Sequence, residues 1–235
     1  MEIRERLGWD SSFFGFEVEK ITLAEDFSPS FLTAQLQDSP AEAMYIFTPW
    51  KLSRMQCDAL AVAGAVEYDV KTVYGKDILG SSPLPAINFA ESPSEEMYDL
   101  AVAAGWCSRF KLDPGFRPEF ERLYRRWLDK AFEDSSSAVI TVKEDNQLAG
   151  LVTVARQESH GSIGLLAVRE SLRGRGIGCR LMVSCDAYYR SHGVTSATVV
   201  TQEKNIPACR LYEKNGYHLI DRTRVWHWWK RSLNK

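Results

Sequence analysis

The spacing of hydrophobic residues divides the chain into two stretches of different pattern. In residues 1–76, the strand-like runs FEVEKITL, AMYIFTP and AVEYDVKTVYG flank a helix predicted over KLSRMQCDALAVAG, which ends near Gly64. The segment that follows contains several prolines and lacks helical periodicity. The pattern therefore predicts a small N-terminal α/β unit over residues 1–85 and a second unit over residues 86–235.

The second unit shows helical periodicity first and alternating periodicity afterwards. A helix is predicted from Ser94 to about Phe110, where SRFKLDPGF interrupts it, and another helix begins near Pro118. The period then changes to two over SAVITVKED, LAGLVTVARQ and SIGLLAV. This change predicts three antiparallel strands, with turns at Asn146 and near Gly161.

The rest of the chain alternates between helices and strands. A glycine turn precedes a helix over about residues 176–192, which is followed by the strand SATVVTQ and a short helix over residues 206–214. The strands YHLIDRT and RVWHWWK complete the pattern. This order predicts an α/β (α+β) fold with a mixed central sheet, whose N-terminal half is antiparallel.

Composition excludes several classes of partner. The formal net charge is −2, from 29 basic and 31 acidic residues, so no overall field favours nucleic acid or an anionic membrane surface. No run approaches the roughly 20 apolar residues of a membrane span, and MEIRERLGWD lacks the pattern of a signal peptide. The five cysteines are scattered and lack metal-ligand spacing. We therefore expect a cytoplasmic protein with reduced thiols, no metal, no nucleic-acid partner and no membrane partner.

The stretch VRESLRGRGIGCRLM, residues 168–182, places three glycines between a strand and a helix. Such glycines bring backbone N–H groups and the positive end of the helix dipole to an anion. The G-x-G-x-G spacing differs from the G-x-G-x-x-G dinucleotide fingerprint, and Gly178 lacks the Lys-Ser/Thr pair of a nucleotide-phosphate loop. An ordinary glycine turn is the other interpretation, although three glycines and two interleaved arginines exceed what a turn requires.

The arrangement Arg173-x-x-Gly176-x-Gly178, directly after a strand ending LLAV, resembles the acetyl-CoA pyrophosphate loop of the GCN5-related N-acetyltransferases (GNAT). The order of elements from about residue 94 is similar to that family too. The resemblance implies a GNAT fold for the second unit and acetyl-CoA as the donor. It assigns donor contacts to the strand end, the loop and the next short helix, namely Leu166, Ala167, Val168, Arg173, Gly174, Arg175, Gly176, Ile177, Gly178, Asn205 and Ala208.

The block TQEKNIPACRLYEKNGY, residues 201–217, also matches the pattern of that family. Asn205 is suited to cap a helix that ends at Asn215-Gly216. Tyr212 follows Asn205 by nearly two turns, so both project on nearly the same side of the helix. The resemblance implies that Asn205 contacts the cofactor and that Tyr212 protonates the departing thiolate of coenzyme A. The alternative for Tyr212 is a half-buried packing residue.

Two further stretches, LGWDSSFFGFEV and SRFKLDPGF, resemble the dTDP-fucosamine acetyltransferases, which acetylate the amine of a nucleotide-linked sugar. In this interpretation Arg109 and Lys111 meet the diphosphate of the acceptor. Phe110, Phe116 or Trp106 packs on its sugar or base. The alternative is that Arg109 and Lys111 are solvated charges near a helix C-terminus. The aromatic run WDSSFFGF likewise either lines the acceptor site or forms core between the two units.

Taken together, these resemblances imply an acetyl-CoA-dependent N-acetyltransferase that acts on a primary amine of a nucleotide-linked amino sugar, by direct attack in a ternary complex. Tyr212 is the predicted general acid, and a backbone N–H near Ala167 is expected to stabilise the oxyanion. The base is not identified. Glu158 and His160 are candidates for it, with surface turn residues as the alternative.

Other functions stay open at this point. The acceptor is alternatively another small amine or a peptide N-terminus, and a non-catalytic acyl-CoA-binding module is the interpretation from a different class. Cys179, Cys185 and Cys209 are expected to pack between helices, since no histidine with a partner is recognisable beside them to activate a thiol. The oligomeric state is open, a homodimer included.

Overall fold

A computed structural model describes residues 3–80 and 85–230, and its contacts divide the chain into two compact units. The first unit contains the described residues up to Lys71, together with Leu112–Phe116 and the described residues from Arg222 onward. The second unit contains the described residues of Thr72–Lys111 and of Arg117–Asp221. This division falls earlier than the predicted boundary near residue 85, because it lies within a long strand rather than in the proline-containing segment.

The first unit has a small sheet with helices packed on it. Its strands and helices are β1 (Ile3–Arg6), α1 (Gly8–Phe14), β2 (Val18–Thr22), α2 (Pro29–Gln37), β3 (Ala43–Pro49) and α3 (Arg54–Val62). Strand β2 pairs antiparallel with β1 and parallel with β3. Ser28 caps α2, and Ser53 with Gln56 forms a capping box at the start of α3. The predicted helix over 51–64 is confirmed, whereas α1 and α2 are additional helices.

Two long strands each contribute residues to both units. They are β4 (Val66–Asp77) and β10 (His218–Trp229), and β10 pairs antiparallel with β3 over Thr223–Trp229. The prediction of two separate strands after residue 217 was wrong, since β10 is continuous. Its middle, Asp221-Arg222-Thr223, contains neither glycine nor proline, and none of the described residues 218–229 has a positive φ.

The second unit is built on a mixed sheet, as predicted. Its other strands and helices are β5 (Asn88–Phe89), α4 (Glu95–Ala104), α5 (Arg109–Leu112), α6 (Phe120–Glu133), β6 (Ser137–Glu144), β7 (Gln147–Gln157), β8 (His160–Val168), α7 (Ile177–Ser191), β9 (Ser196–Gln202) and α8 (Ile206–Lys214), where Leu112 belongs to the first unit. Strands β5 to β8 pair antiparallel in chain order, and β8 pairs parallel with β9. The part of β4 in this unit lies beside β9.

Helices α4, α6 and α7 all pack on β7. This strand is buried on both faces, since each side chain from Leu148 to Val154 is buried. The core between α7, α8 and the sheet includes Tyr74, Cys185 and Tyr212. The C-terminal ends of β8 and β9 in this sheet border the site described below.

Local packing shifts some predicted boundaries. The turn between β6 and β7 is at Asp145–Asn146, as predicted, with both residues at positive φ. The turn predicted near Gly161 lies instead at Glu158–Ser159, where Glu158 has a φ of 52°. Gly161 is inside β8, where it pairs with both neighbouring strands, and glycine suits this position because a Cβ there would stand 2.5 Å from the Tyr189 ring.

The first helix of the second unit is shorter than predicted. Ser94 caps α4 as expected, but the helix ends at Ala104 rather than near Phe110. At Gly105, which follows, a Cβ would lie 2.3 Å from the Tyr124 ring, so α6 approaches the backbone closely at this point.

Among the described residues, no helix is both long and apolar enough to cross a membrane.

Candidate active site

Strands β8 and β9 separate at their C-terminal ends. They pair in parallel from His160 opposite Ser196 to Ile163 opposite Val199, and no further pair is present in the described part of either strand. Strand β8 continues to Val168 and β9 continues to Gln202. A wedge therefore opens between the two strands, and the backbone of β8 that lines it has no strand on that side.

A β-bulge determines which amides of β8 face this wedge. Gly164 and Leu165 lie together opposite Thr153, and the Leu165 N–H donates to Thr153 Oγ1 at 2.8 Å. Beyond the bulge, the Arg169 N–H donates to the Ala149 carbonyl at 2.8 Å. Hydrogen-bonded pairs alternate along an antiparallel ladder, so the Ala167 N–H is also directed towards β7.

The same alternation directs the N–H groups of Leu166 and Val168 away from β7 and towards the wedge. The oxyanion donor predicted near Ala167 is therefore not the Ala167 amide itself, which belongs to the ladder with β7. The neighbouring amides of Leu166 and Val168 have the required direction.

The glycine loop leads from this strand to the N-terminus of α7. Gly174 and Gly176 have φ values of 80° and 78°, a region that favours glycine, and a Cβ on either would meet nothing within 4 Å among the described residues. Gly176 is the N-cap residue, and none of the described side chains caps the helix there. The loop therefore leaves open space directly in front of a helix N-terminus.

The first turn of α7 offers unsatisfied donors to that space. The Arg180 N–H donates to the Gly176 carbonyl at 3.1 Å, so the N–H groups of Ile177, Gly178 and Cys179 precede the helical hydrogen bonds. Gly178 is needed for another reason, because a Cβ there would lie 3.1 Å from Leu211 of α8. Together with the helix dipole, these donors form a site that suits a diphosphate.

Two arginines of the loop are exposed. Arg173 contacts the end of β8, where its Nε lies 3.4 Å from the Val168 carbonyl oxygen, and Arg175 is exposed. Both side chains add positive charge beside the helix N-terminus. The structure thus brings together the strand end, the loop and the helix start that the sequence singled out.

Helix α8 begins as predicted. Asn205 is its N-cap residue and accepts from the Ala208 N–H at 3.4 Å, while Pro207 lies in the first turn. Asn205 follows the end of β9 and therefore lies by the wedge. The geometry gives Asn205 a capping role whatever it contacts in addition.

Tyr212 lies in the core of the second unit. Its side chain is 4 % exposed, and its ring centroid is 6.0 Å from that of Tyr74 and 6.3 Å from that of Tyr217. Burial raises the pKa of Tyr212 above its ordinary value, and the nearby Cys185 and Cys209 raise it further. The phenol therefore keeps its proton at neutral pH, as a general acid requires.

The two base candidates lie at the wrong end of β8. His160 is six residues before Leu166, which corresponds to about 20 Å along a strand, and Glu158 lies in the preceding turn. The His160 ring nitrogens contact Ser196 Oγ at 3.0 Å and Thr198 Oγ1 at 2.9 Å. His160 thus joins β8 to β9, and both residues are exposed at that edge as the surface alternative predicted.

The predicted acceptor residues differ in accessibility. Arg109 and Lys111 are half-buried, and Lys111 Nζ lies 4.7 Å from the Trp106 ring centroid. Trp106 is 66 % exposed, so it is free to pack on a ligand, whereas Phe110 is buried and packs edge-to-face on Trp127. The prediction that Phe110 packs on a sugar is therefore corrected, because its ring is buried, whereas the ring of Trp106 is accessible.

Phe116 belongs to the core of the first unit. It is fully buried, and its ring centroid lies 4.8 Å from that of Phe14 and 4.7 Å from that of Trp229. The proposed contact of Phe116 with a sugar is corrected, because this side chain is unavailable to a ligand. The N-terminal aromatic run is divided, since Trp9 is 37 % exposed while Phe14 packs on Phe116.

The buried carboxylate of Asp113 was not identified from the sequence. Asp113 accepts from His227 Nδ1 at 2.6 Å, from Trp229 Nε1 at 3.0 Å and from the Gly115 N–H at 2.9 Å, all within the first unit. Burial alone would raise the pKa of Asp113, but these hydrogen bonds outweigh it and hold the pKa below its usual value. The only signal in the sequence was the turn DPG, because the two side-chain partners, His227 and Trp229, are more than a hundred residues away.

Sequence reasoning also passed over Tyr74 and Glu213. The Tyr74 hydroxyl donates to Glu213 Oε1 at 3.1 Å, although the two residues are 139 positions apart. All five cysteines are free thiols, and Cys185 and Cys209 are buried, as expected for packing residues. No group of three or more His, Cys, Asp or Glu side chains in the described ranges is arranged to hold a metal ion.

Comparison with known proteins assigns this fold and site to a family. Residues 100–217 match the acetyltransferase (GNAT) family, which is half of the chain. The protein therefore belongs to the acetyltransferase (GNAT) family. The acetyl donor of this family is acetyl-CoA, and the loop and helix N-terminus described above suit its diphosphate.

Solved structures are similar in fold. A functionally unknown conserved protein from Staphylococcus epidermidis ATCC 12228 has a TM-score of 0.64 at 12% identity, over 90% of this chain and 84% of that one. A GCN5-related N-acetyltransferase from Sphaerobacter thermophilus has a TM-score of 0.58 at 15% identity, over 97% of this chain and 76% of that one. At such identities the likeness supports the fold alone.

A curated relative is similar over a shorter range. The uncharacterized protein YxbD of Bacillus subtilis (strain 168) is 27% identical over 78 residues, which are 33% of this chain and 48% of YxbD. This chain thus spans about half the length of that relative. The acceptor is not specified by any of these similarities.

Proposed function

We propose that this acetyltransferase transfers the acetyl group of acetyl-CoA to a primary amine of a nucleotide-linked amino sugar, by direct attack within a ternary complex. The observation that carries the donor half of this proposal is the wedge between β8 and β9, with a glycine loop and a helix N-terminus at its mouth. Acetyl-CoA supplies an activated acyl group at a thioester. The residues of the chain bind it, orient it and move protons.

The donor contacts follow from the directions of the backbone donors. The first-turn amides of α7, with Arg173 and Arg175, hold the diphosphate, and Gly174 and Gly176 leave the space that it needs. The amides of Leu166 and Val168 face the wedge, where one of them donates to the thioester oxygen as negative charge develops on it. Ile177, Gly178, Asn205 and Ala208 complete the donor site at the two helix starts.

Tyr212 serves as the general acid in this proposal. Its raised pKa keeps the hydroxyl protonated, so that a proton is available for the sulfur as the thiolate leaves. A direct attack needs no enzyme nucleophile, and the buried Cys185 thiol has a raised pKa that disfavours the thiolate. The acid and the oxyanion donor together stabilise the two charges that develop during transfer.

The proposed acceptor, a nucleotide-linked amino sugar, is supported by two cationic side chains and one exposed aromatic ring. Arg109 and Lys111 provide positive charge for the diphosphate of a nucleotide sugar, and the exposed Trp106 beside Lys111 offers a face for a base or sugar. The two stretches that resemble the dTDP-fucosamine acetyltransferases also contact each other, through Phe14 and Phe116 in the first unit.

An acceptor panel tests the proposal. Release of free CoA is measured with nucleotide 4-amino-sugars, with the same amino sugars lacking the nucleotide, with other small amines and with peptides. We expect efficient turnover only with the nucleotide-linked sugars, and a higher KM for them in Lys111→Ala than in the control Lys143→Ala, whose lysine is exposed on β6. Preference for a free amine or a peptide would reassign the acceptor. Donor binding without turnover of any amine would favour a non-catalytic acyl-CoA-binding module.

A further inference from the structure

Pairing between β8 and β9 stops where the bulge in β8 begins. The last pair joins Ile163 to Val199, and the bulge at Gly164 and Leu165 follows directly. A parallel ladder uses every second residue of a strand, so a regular β8 would offer β9 the amides of Leu165 and Ala167 next. The bulge shifts this alternation by one residue and so takes the rest of β8 out of phase with β9.

This break in pairing has an energetic cost. The N–H groups of Leu166 and Val168, called the wedge amides below, face the wedge, where the described part of β9 does not pair with them. A regular β8 would be able to pair further along β9 and so satisfy its backbone amides. Some other contact must therefore favour the bulge over regular pairing.

The apolar residues of β8 supply little of that preference. Ile163 belongs to the core between α7, α8 and the sheet, and Leu166 and Val168 pack against it. In a regular strand, Leu165 and Ala167 would take those two positions. Both arrangements place two apolar side chains on the same core, so the hydrophobic pattern specifies the register only weakly.

A buried hydroxyl opposite the bulge distinguishes the two arrangements. The Thr153 side chain is 7 % exposed, and its Oγ1 accepts from the Leu165 N–H at 2.8 Å. In a regular strand the Leu165 N–H would face β9 instead, and this hydrogen bond would be lost. The Thr153 hydroxyl therefore stabilises the bulged arrangement alone.

Gly164 allows this hydroxyl to approach β8. A Cβ at Gly164 would stand 2.7 Å from Thr153 Oγ1, closer than real Cβ atoms approach a neighbour. The φ of Gly164 is not positive, so this position needs glycine for the close approach rather than for its backbone conformation. Thr153 and Gly164 thus form a complementary pair across the two strands.

We infer that Thr153 is a positioning residue for the acetyl donor. Its hydroxyl fixes the bulge, and the bulge keeps the wedge open, so that the wedge amides are available to the thioester oxygen. Thr153 acts through the backbone of β8 and needs no contact with acetyl-CoA. The functional part of this inference rests on the proposed role of the wedge amides.

Amide exchange in the ligand-free protein, followed by NMR, tests the inference. Thr153→Val keeps the shape of the side chain and removes the acceptor, so β8 should shift to regular pairing. The wedge amides should exchange rapidly in the parent and should be protected by about tenfold or more in Thr153→Val. General destabilisation would instead accelerate exchange, so protection of these amides is specific to closure of the wedge.

Acetyl-CoA binding, measured by calorimetry, gives a second comparison. The donor has to reopen the wedge in Thr153→Val, so its Kd should rise by about tenfold. Thr153→Ser keeps the hydroxyl and should show parental exchange and affinity. Gly164→Ala displaces the hydroxyl from the side of β8, so it should reproduce both effects of Thr153→Val by an independent substitution.

Thr141→Val is the matched control on β6. Thr141 is also buried, and its Oγ1 donates to the Asn88 carbonyl at 3.4 Å, so its replacement should leave the wedge amides and the acetyl-CoA affinity at parental values. Rapid exchange of the wedge amides in both Thr153→Val and Gly164→Ala, or a Thr153→Ser variant that behaves like Thr153→Val, would overturn the inference. Failure of acetyl-CoA to protect the wedge amides of the parent would instead refute the proposed donor contact, while the ligand-free comparison still decides the role of Thr153.

Discussion

At the scale of single residues, the position of Tyr212 on α8 and its buried surroundings together determine the pKa of its phenol. Helix α8 places Tyr212 nearly two turns after the cap residue Asn205, and the core around it excludes water. That environment raises the pKa of the phenol and so keeps it protonated far above neutral pH. Activity measured up to about pH 10 should therefore show no loss from ionisation of this group, although an ordinary tyrosine, with a pKa of about 10, would be half ionised there.

Tyr212→Phe tests the role of this residue. The substitution keeps the ring and removes the proton donor, so kcat should fall by about 10²–10⁴-fold, while acetyl-CoA affinity and Tm stay close to the parent's. The control is Tyr189→Phe, because the buried Tyr189 hydroxyl donates to the Ser162 carbonyl at 2.7 Å and its loss should affect stability alone. Single-turnover rates at saturating acceptor separate chemistry from product release. A near-parental rate would reject Tyr212 as the acid.

At the scale of helices and strands, the sequence predicted the features that depend on neighbouring residues in the chain and missed those that depend on pairing between distant strands. The bounds of α8 and β9, and the turn at Asn146, follow from caps, turn residues and periodicity within a few positions. The continuous strand β10 and the bulge at Gly164 were missed, because both depend on neighbouring strands. The glycine loop was identified by its local spacing, whereas the direction of the β8 amides required the strand register.

The short segment Leu112–Phe116 is fixed to β10 by a single carboxylate. Asp113→Ala should cost about 3–5 kcal/mol of unfolding free energy, because it leaves the buried donors of His227 and Trp229 without their acceptor. Since the pKa of Asp113 is lower in the folded state, its contribution is complete above the unfolded pKa of about 4 and is lost as pH falls through the folded value.

Urea unfolding followed across acidic pH measures this contribution. The parent should lose more stability than Asp113→Ala as the solution is acidified below about pH 4. Asp134→Ala is the comparison variant for an exposed position. The pKa of the Asp134 carboxyl is also lowered, by hydrogen bonds from Ser136 and Ser137, so this variant shows how much of the pH dependence an exposed carboxylate contributes. Parallel stability curves for the parent and Asp113→Ala would contradict the assignment of the buried pair as a stabilising contact.

At the scale of the whole molecule, the sequence alone predicted the family and its acetyl donor, but it did not predict which segments form each of the two units. The loop and the Asn205–Tyr212 block are each contiguous, so their patterns are visible without a structure. The units are assembled from separate segments, including Leu112–Phe116 and the chain from Arg222 onward. No local pattern reveals that a segment between two helices, or the end of β10, belongs with the N-terminal residues.

The central claim is that the wedge and the N-terminus of α7 bind the donor. Gly176 and Gly193 both have positive φ and open space around a Cβ, so alanine at either position costs a similar strain of about 1–2 kcal/mol. Only Gly176 faces the proposed diphosphate, whereas Gly193 lies beyond the other end of α7.

Calorimetric titration tests this claim most directly. Acetyl-CoA and CoA should bind the parent with similar affinity, and NADH and ATP should not compete. The Cβ of Gly176→Ala should enter the space of the diphosphate and so disrupt its charge-assisted hydrogen bonds, which should weaken CoA binding by about tenfold or more. Gly193→Ala should leave CoA binding unchanged. Unchanged CoA affinity in Gly176→Ala, or tight NADH binding that CoA does not displace, would contradict the account.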